Sequence, residues 1–130
     1  MCSMLLSEYQ AQLTAIIGRY AQSDLIISSE LSVDARTPKM GVIKGTLGFV
    51  EGVRLFFTEY VDARYRLEKL TYSYHCQDAA DRLLFRYDNA AHKPALAFPC
   101  HKHLSSGAII EAEVPDLAAI LDEVLEQFVL

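Results

Sequence analysis

The sequence predicts an α+β domain: an antiparallel β-sheet of five or six strands with an N-terminal and a C-terminal helix packed on one face. Three observations predict it. Apolar residues recur at helical spacing near both ends of the chain, and at a period of two between them. Polar turn segments divide the alternating stretches into hairpins. The 130 residues are 52% hydrophobic and 22% charged, enough for one core, so residues 1–130 read as a single domain.

Leu6, Tyr9, Leu13, Ile16, Ile17 and Tyr20 form one helical stripe and predict a helix over about 5–22. From Asp24 the period becomes two. Leu25, Ile27, Ser29, Leu31 and Val33 share one side of a strand that Thr37-Pro38-Lys39-Met40-Gly41 ends. Ile43, Leu47 and Phe49 alternate with Lys44, Thr46 and Gly48. Glu51-Gly52 then reads as a tight turn in which Gly supplies a positive φ. Val53, Leu55 and Phe57 continue on a return strand to about Val61.

A third hairpin spans Tyr65–Cys76 and Arg82–Asp88. With residues 78–81 as its loop, Cys76 faces Leu83, Tyr74 faces Phe85 and Tyr72 faces Tyr87 on one side. His75 against Leu84, Ser73 against Arg86 and Thr71 against Asp88 fall on the other. One register thus separates an aromatic face from a polar face. Residues 89–107 contain Pro94, Pro99 and Gly107, show little periodicity and read as a long loop. Ile109–Glu113 is a short strand. Pro115 suits a first helical turn, and Leu117, Ile120, Leu121, Val124 and Phe128 form the stripe of the last helix.

Composition excludes several classes. No apolar run approaches the ~20 residues that span a bilayer, so no membrane partner is expected. Met1–Leu6 has no basic segment before an apolar one, so no signal peptide is expected. Cys2, Cys76 and Cys100 are odd in number and form no CxxC pair, which fits a reducing cytoplasm better than a disulfide framework. Net charge is −5, which argues against non-specific coating of nucleic acid. The average hides an asymmetry. Residues 61–103 hold seven basic and five acidic groups and all four histidines, whereas residues 104–130 hold six acidic groups and no basic one.

Chemistry concentrates in that middle third. His75, Arg86 and Asp88 project from one side of the third hairpin. A carboxylate beside a histidine fixes its tautomer, and an arginine offers a planar fork to phosphate. A solvated ion pair is the plain structural alternative. His92, His101, Lys102 and His103 follow within the loop, and His101 and His103 share a face if that segment is extended. These histidines suit general acid–base work on a phosphodiester, with Lys102 and Arg86 holding phosphate charge. His92, His101 and His103 are also the candidate ligands of a divalent metal, since imidazole is a common ligand. Recognition of an acidic partner is a third use. HExxH, Walker A and GxSxG motifs are absent from the sequence. Cys76 falls on the aromatic face and reads as core.

Tyr72-Ser73-Tyr74-His75-Cys76-Gln77-Asp78, Phe85-Arg86-Tyr87-Asp88-Asn89-Ala90, His92 and Phe98-Pro99-Cys100-His101-Lys102-His103 together resemble the TumE-like family of small bacterial proteins. That family includes toxin components of type II toxin–antitoxin systems. The resemblance covers about residues 50–128, most strongly 72–103. Two positions depart from it. His92-Lys93 stands where relatives often have His-His, and Pro99-Cys100-His101-Lys102-His103 stands where they often have Pro-His-His-Lys-His.

The resemblance implies a toxin with a cognate antitoxin as partner, acting on RNA or a nucleotide. The expected catalytic set is His75, Arg86, Asp88, His101, Lys102 and His103, with Tyr87, Asn89 and His92 as further pocket residues. The expected activity is of a ribonuclease type that needs no metal and no cofactor. A non-enzymatic binding protein, acting on an antitoxin or as a homodimer, is the alternative. A histidine-based metal protein is another.

Overall fold

The computed structural model describes residues 3–92 and 95–129; Cys2 and Lys93 lie outside them. The chain runs α1 (Leu6–Ala21), β1 (Ile26–Thr37), β2 (Met40–Phe49), β3 (Arg54–Asp62), β4 (Glu68–Gln77), β5 (Leu83–Asp88), β6 (His101–Leu104), β7 (Ile109–Glu111) and α2 (Leu117–Val124), ending in a wider π-type turn over Leu125–Val129. The seven strands form one antiparallel meander in chain order.

Both helices pack on one face of the sheet. Leu6, Tyr9, Leu13 and Ile17 of α1 and Leu117, Ile120, Leu121 and Val124 of α2 are buried. They meet Ile43, Leu47, Leu55, Phe57, Val61, Tyr74, Cys76 and Phe85 in a single core. A fully buried side chain of this kind contributes about 1.5–3 kcal/mol and a surface ion pair about 0–1, so this face holds the helices in place. The Tyr20 hydroxyl ties α1 to α2 by donating to Asp122 Oδ1 at 2.7 Å. Gly45 lies beside Phe57 in the core, where a Cβ would fall 2.2 Å from the ring. Pro115 stands just before α2 rather than in its first turn. Asp116 caps the helix, its carboxylate accepting from the Ala119 N–H at 2.8 Å.

The β2–β3 turn uses Val50–Gly52, and both Glu51 (φ 64°) and Gly52 (φ 80°) are left-handed, not Gly52 alone. A Cβ on Gly52 would approach Cβ of Ala79 to 2.6 Å, so the close approach of the β4–β5 turn also requires glycine.

Ile27, expected to share the apolar side of β1 with Leu25, Leu31 and Val33, is 68% exposed, because the β1–β2 register breaks between Ile26 and Ser28. Three further expectations about the strands change. First, the sheet has seven strands, because β6 lies inside the segment expected to be loop. Its sequence His-Lys-His-Leu carries no apolar alternation, since its buried groups are polar. Second, β4 begins at Glu68 rather than Tyr65. Third, the β4–β5 register is shifted by two residues: Tyr74 pairs with Tyr87, Cys76 with Phe85 and His75 with Arg86. The cause is a five-residue turn. Asp78 N–H donates to the Arg82 carbonyl at 2.9 Å, and Asp78 Oδ1 accepts from the N–H groups of Ala80 and Arg82. Asp81 takes φ 63°, and the register slips between Cys76 and Gln77. A two-residue shift preserves side-chain parity, so Tyr72, Tyr74, Cys76, Phe85 and Tyr87 still share the helix side. His75, Arg86 and Asp88 project from the other side.

Candidate functional site

Among the described residues, no helix covers the other side of the sheet. Asp88 and Arg86 project there from β5, His101 and His103 from β6, and His75 from β4. Asp88 pairs with His101 and Arg86 with His103 along the β5–β6 ladder. The described start of the β5–β6 connection lays His92 on the cluster. Asp88 is 3% exposed and His101 1%, although both leave the sheet on its helix-free side.

Asp88 is the hub. His101 Nε2 lies 2.6 Å from Oδ1 and His103 Nε2 3.5 Å from Oδ2. Arg86 Nε–H donates to Oδ2 at 2.7 Å and Ala90 N–H to Oδ1 at 3.1 Å. Burial pushes the Asp88 carboxyl up. The bond from Arg86, the Ala90 N–H and His101 outweigh it and hold the group below the ordinary carboxylate range. Burial also pushes the His103 imidazole below its ordinary range. His101, His92 and Arg86 add to that, and Asp88 opposes it.

The three imidazoles are mutually packed. His92 and His103 stack at 5.4 Å between centroids, and His101 meets both edge-on. His92 Nε2 and His101 Nε2 are 2.9 Å apart. His101 Nδ1 donates to the Pro99 carbonyl at 3.1 Å, since a carbonyl can only accept. His75 stands at the rim. Its Nδ1 is 3.4 Å from an Arg86 terminal nitrogen and its Nε2 is 3.0 Å from Gln77 Oε1. A shallow pocket of about 230 Å³ opens beside the cluster, lined by Thr58, Thr71, Ser73, Arg86, Asp88 and Asn89 among others.

The structure thus brings together His75, Arg86, Asp88, His92, His101 and His103. It separates Lys102 and Tyr87 from them. Lys102 leaves β6 on the helix side, where its ammonium donates to Glu123 Oε2 at 2.6 Å beneath the Tyr87 ring. The Tyr87 hydroxyl donates to Glu123 Oε1 at 2.5 Å. The expected phosphate clamp of Arg86 and Lys102 is therefore not formed: the period of two that aligns His101 with His103 turns Lys102 away. Asn89 has a backbone role. Its Oδ1 accepts from the Tyr72 N–H at 3.1 Å and its Nδ2 donates to the Leu70 carbonyl at 3.0 Å, pinning the irregular pairing of β4 and fixing where the loop leaves β5.

Sequence reasoning missed Glu59, which is fully buried on the helix side of β3. It accepts from the Tyr9 hydroxyl at 2.5 Å and from the Tyr74 hydroxyl, and Lys69 Nζ lies 3.3 Å away. Lys69 also donates to the Pro115 carbonyl at 2.8 Å, tying β4 to the start of α2. Its signal was available: a charge alternating with Leu55, Phe57 and Val61 belongs to the apolar face.

Among the described residues, no helix is long and apolar enough to cross a membrane. No curated protein and no solved structure matches the chain. The sequence model of the family described as Toxin TumE matches residues 15–129, which extends the resemblance well before residue 50 and takes in the C-terminal part of α1 and all seven strands. The chain belongs to the TumE toxin family.

Proposed function

We propose that this chain is the toxic member of a bacterial toxin–antitoxin pair and acts on RNA or a nucleotide at the helix-free corner of its sheet. Family membership supports the toxin. One observation carries the placement of its activity. Arg86 is held through Nε by Asp88, so its fork is fixed while it lines an open pocket, directly beside three packed histidines. A fixed guanidinium at a pocket wall suits a phosphate group. The histidines supply nitrogen ligands or proton carriers at the atom next to it. The antitoxin, a protein, would bind so as to block this face.

The test is incubation of purified protein with total RNA and with nucleoside triphosphates, reading new RNA ends and released phosphate. Wild type is expected to consume one of these, and Arg86→Ala and His103→Ala to lose about 100-fold or more in rate while keeping the wild-type circular dichroism. Equal turnover by both variants would contradict the reading.

A further inference from the structure

We infer that Asp88, His92, His101 and His103 form a binding site for one divalent transition-metal ion of the zinc class. The inference goes beyond the toxin reading and stands whether or not the protein acts on RNA.

One ligand atom from each of the four residues can be chosen so that all lie within 4.8 Å of one another. Three imidazole nitrogens and one carboxylate oxygen are the donor set that zinc and its neighbours prefer, rather than the all-oxygen set of calcium or magnesium. Zinc–nitrogen bonds of about 2.0–2.1 Å place tetrahedral ligand atoms roughly 3.3 Å apart. His101 Nε2 lies 2.6 Å from Asp88 Oδ1 and 2.9 Å from His92 Nε2, and His103 Nε2 lies 3.5 Å from the other carboxylate oxygen, Oδ2, so the neighbouring donors stand near that spacing.

The placement of His101 points the same way. Its Nδ1 faces the Pro99 carbonyl, so Nε2 is the nitrogen turned toward both Asp88 Oδ1 and His92 Nε2. His101 is 1% exposed, and a single N–H at Nε2 could not serve both of these close neighbours well. A cation satisfies all of them at once. The surrounding bonds are those that orient metal ligands. A backbone carbonyl fixes the His101 tautomer, and Arg86 and the Ala90 N–H fix the Asp88 carboxylate.

The platform is built into the fold. His101 and His103 share one face of β6, Asp88 faces His101 across the ladder, and His92 closes the set from the loop. Cys100, next in sequence to His101, turns to the helix side of the sheet and does not belong to it.

The test uses the full chain, stripped with a chelator and titrated with zinc and then cobalt(II), by calorimetry and by visible absorption. Wild type is expected to bind one equivalent and to give the intense visible bands of tetrahedral cobalt. His92→Ala and His103→Ala are expected to weaken binding about 100-fold or more, since even indirect supports of a metal site are worth 10–100-fold. Cys100→Ser is expected to bind as wild type does. His92 lies on the loop, so its variant keeps the sheet intact, and circular dichroism checks this. Absence of saturable binding, or binding unchanged in both histidine variants, overturns the inference. Metal binding without any toxic activity would overturn the proposed function instead and leave the metal site standing.

Discussion

Asp88 and His101 face each other across β5 and β6 with Oδ1 and Nε2 2.6 Å apart, both buried on the side of the sheet that no described helix covers. His92, early in the β5–β6 connection, packs against the pair with its Nε2 2.9 Å from His101 Nε2. The corner is thus a covered polar site on an otherwise open face.

Lys102 lies through the sheet from this site, paired with Glu123. Lys102→Met is therefore expected to leave activity at the histidine corner within about threefold of wild type. The surrounding Phe85 and Tyr87 rings accommodate an apolar side chain, but Glu123, mostly buried, loses its cation. A stability loss of about 1–3 kcal/mol follows. Urea unfolding and an activity assay on the same preparation separate the two effects. Loss of activity with intact stability would place Lys102 in the site.

Glu59 holds two tyrosine hydroxyls and the Lys69 ammonium inside the core. Glu59→Ala strands a largely buried cation and two hydroxyls, and is expected to cost about 3–5 kcal/mol in urea unfolding. Glu59→Gln, whose amide oxygen still accepts from a tyrosine, is expected to cost less. Equal losses would show that the charge, not the hydrogen bonding, dominates.

Burial, followed by the Glu59 charge, raises the Tyr9 and Tyr74 phenols above their ordinary range. Burial, followed by Cys100, raises Tyr72. The folded state then keeps protons that the unfolded state releases above about pH 10, so stability is fully present below that value and falls as pH rises beyond it. Phenolate absorption from these three residues is expected to appear together with loss of circular dichroism. Full ionisation of the folded protein would contradict the burial assigned to them.

Burial, with Glu123 nearby, pushes the Cys76 thiol up to about 12. Its thiolate is therefore scarce at neutral pH, and access is blocked by the core. Thiol reagents are expected to spare Cys76 in the folded protein at about pH 8 and to label it in denaturant, as read by peptide mass spectrometry. Prompt labelling without denaturant would show that this part of the core opens.

The apolar side of the sheet was legible along β2, β3 and most of β4 and β5 because burial on one face imposes alternation; beside the register breaks it was not, since Ile26 and Leu84 pack against the core in place of the expected Ile27 and Leu83. The same parity placed His75, Arg86 and Asp88 together even though the β4–β5 register was two residues off. That error lay in the Asp78–Arg82 turn, whose fifth residue depends on side-chain hydrogen bonds and a left-handed Asp81. β6 was illegible for a different reason. Its buried member is a histidine bonded to a carboxylate, and its half-buried lysine pairs with Glu123, so no apolar rhythm marks it. The strand itself decides which neighbours of His101 belong to the site. Once residues 101–104 are extended, His103 joins and Lys102 leaves.

The most direct test of the central claim is growth of a bacterial host during induced expression, comparing wild type with His101→Ala/His103→Ala at matched soluble protein levels. Arrest by wild type and normal growth with the double variant, its fold confirmed by circular dichroism, is the predicted result. Arrest by both, at equal levels of folded protein, would contradict the assignment of toxicity to the histidine corner.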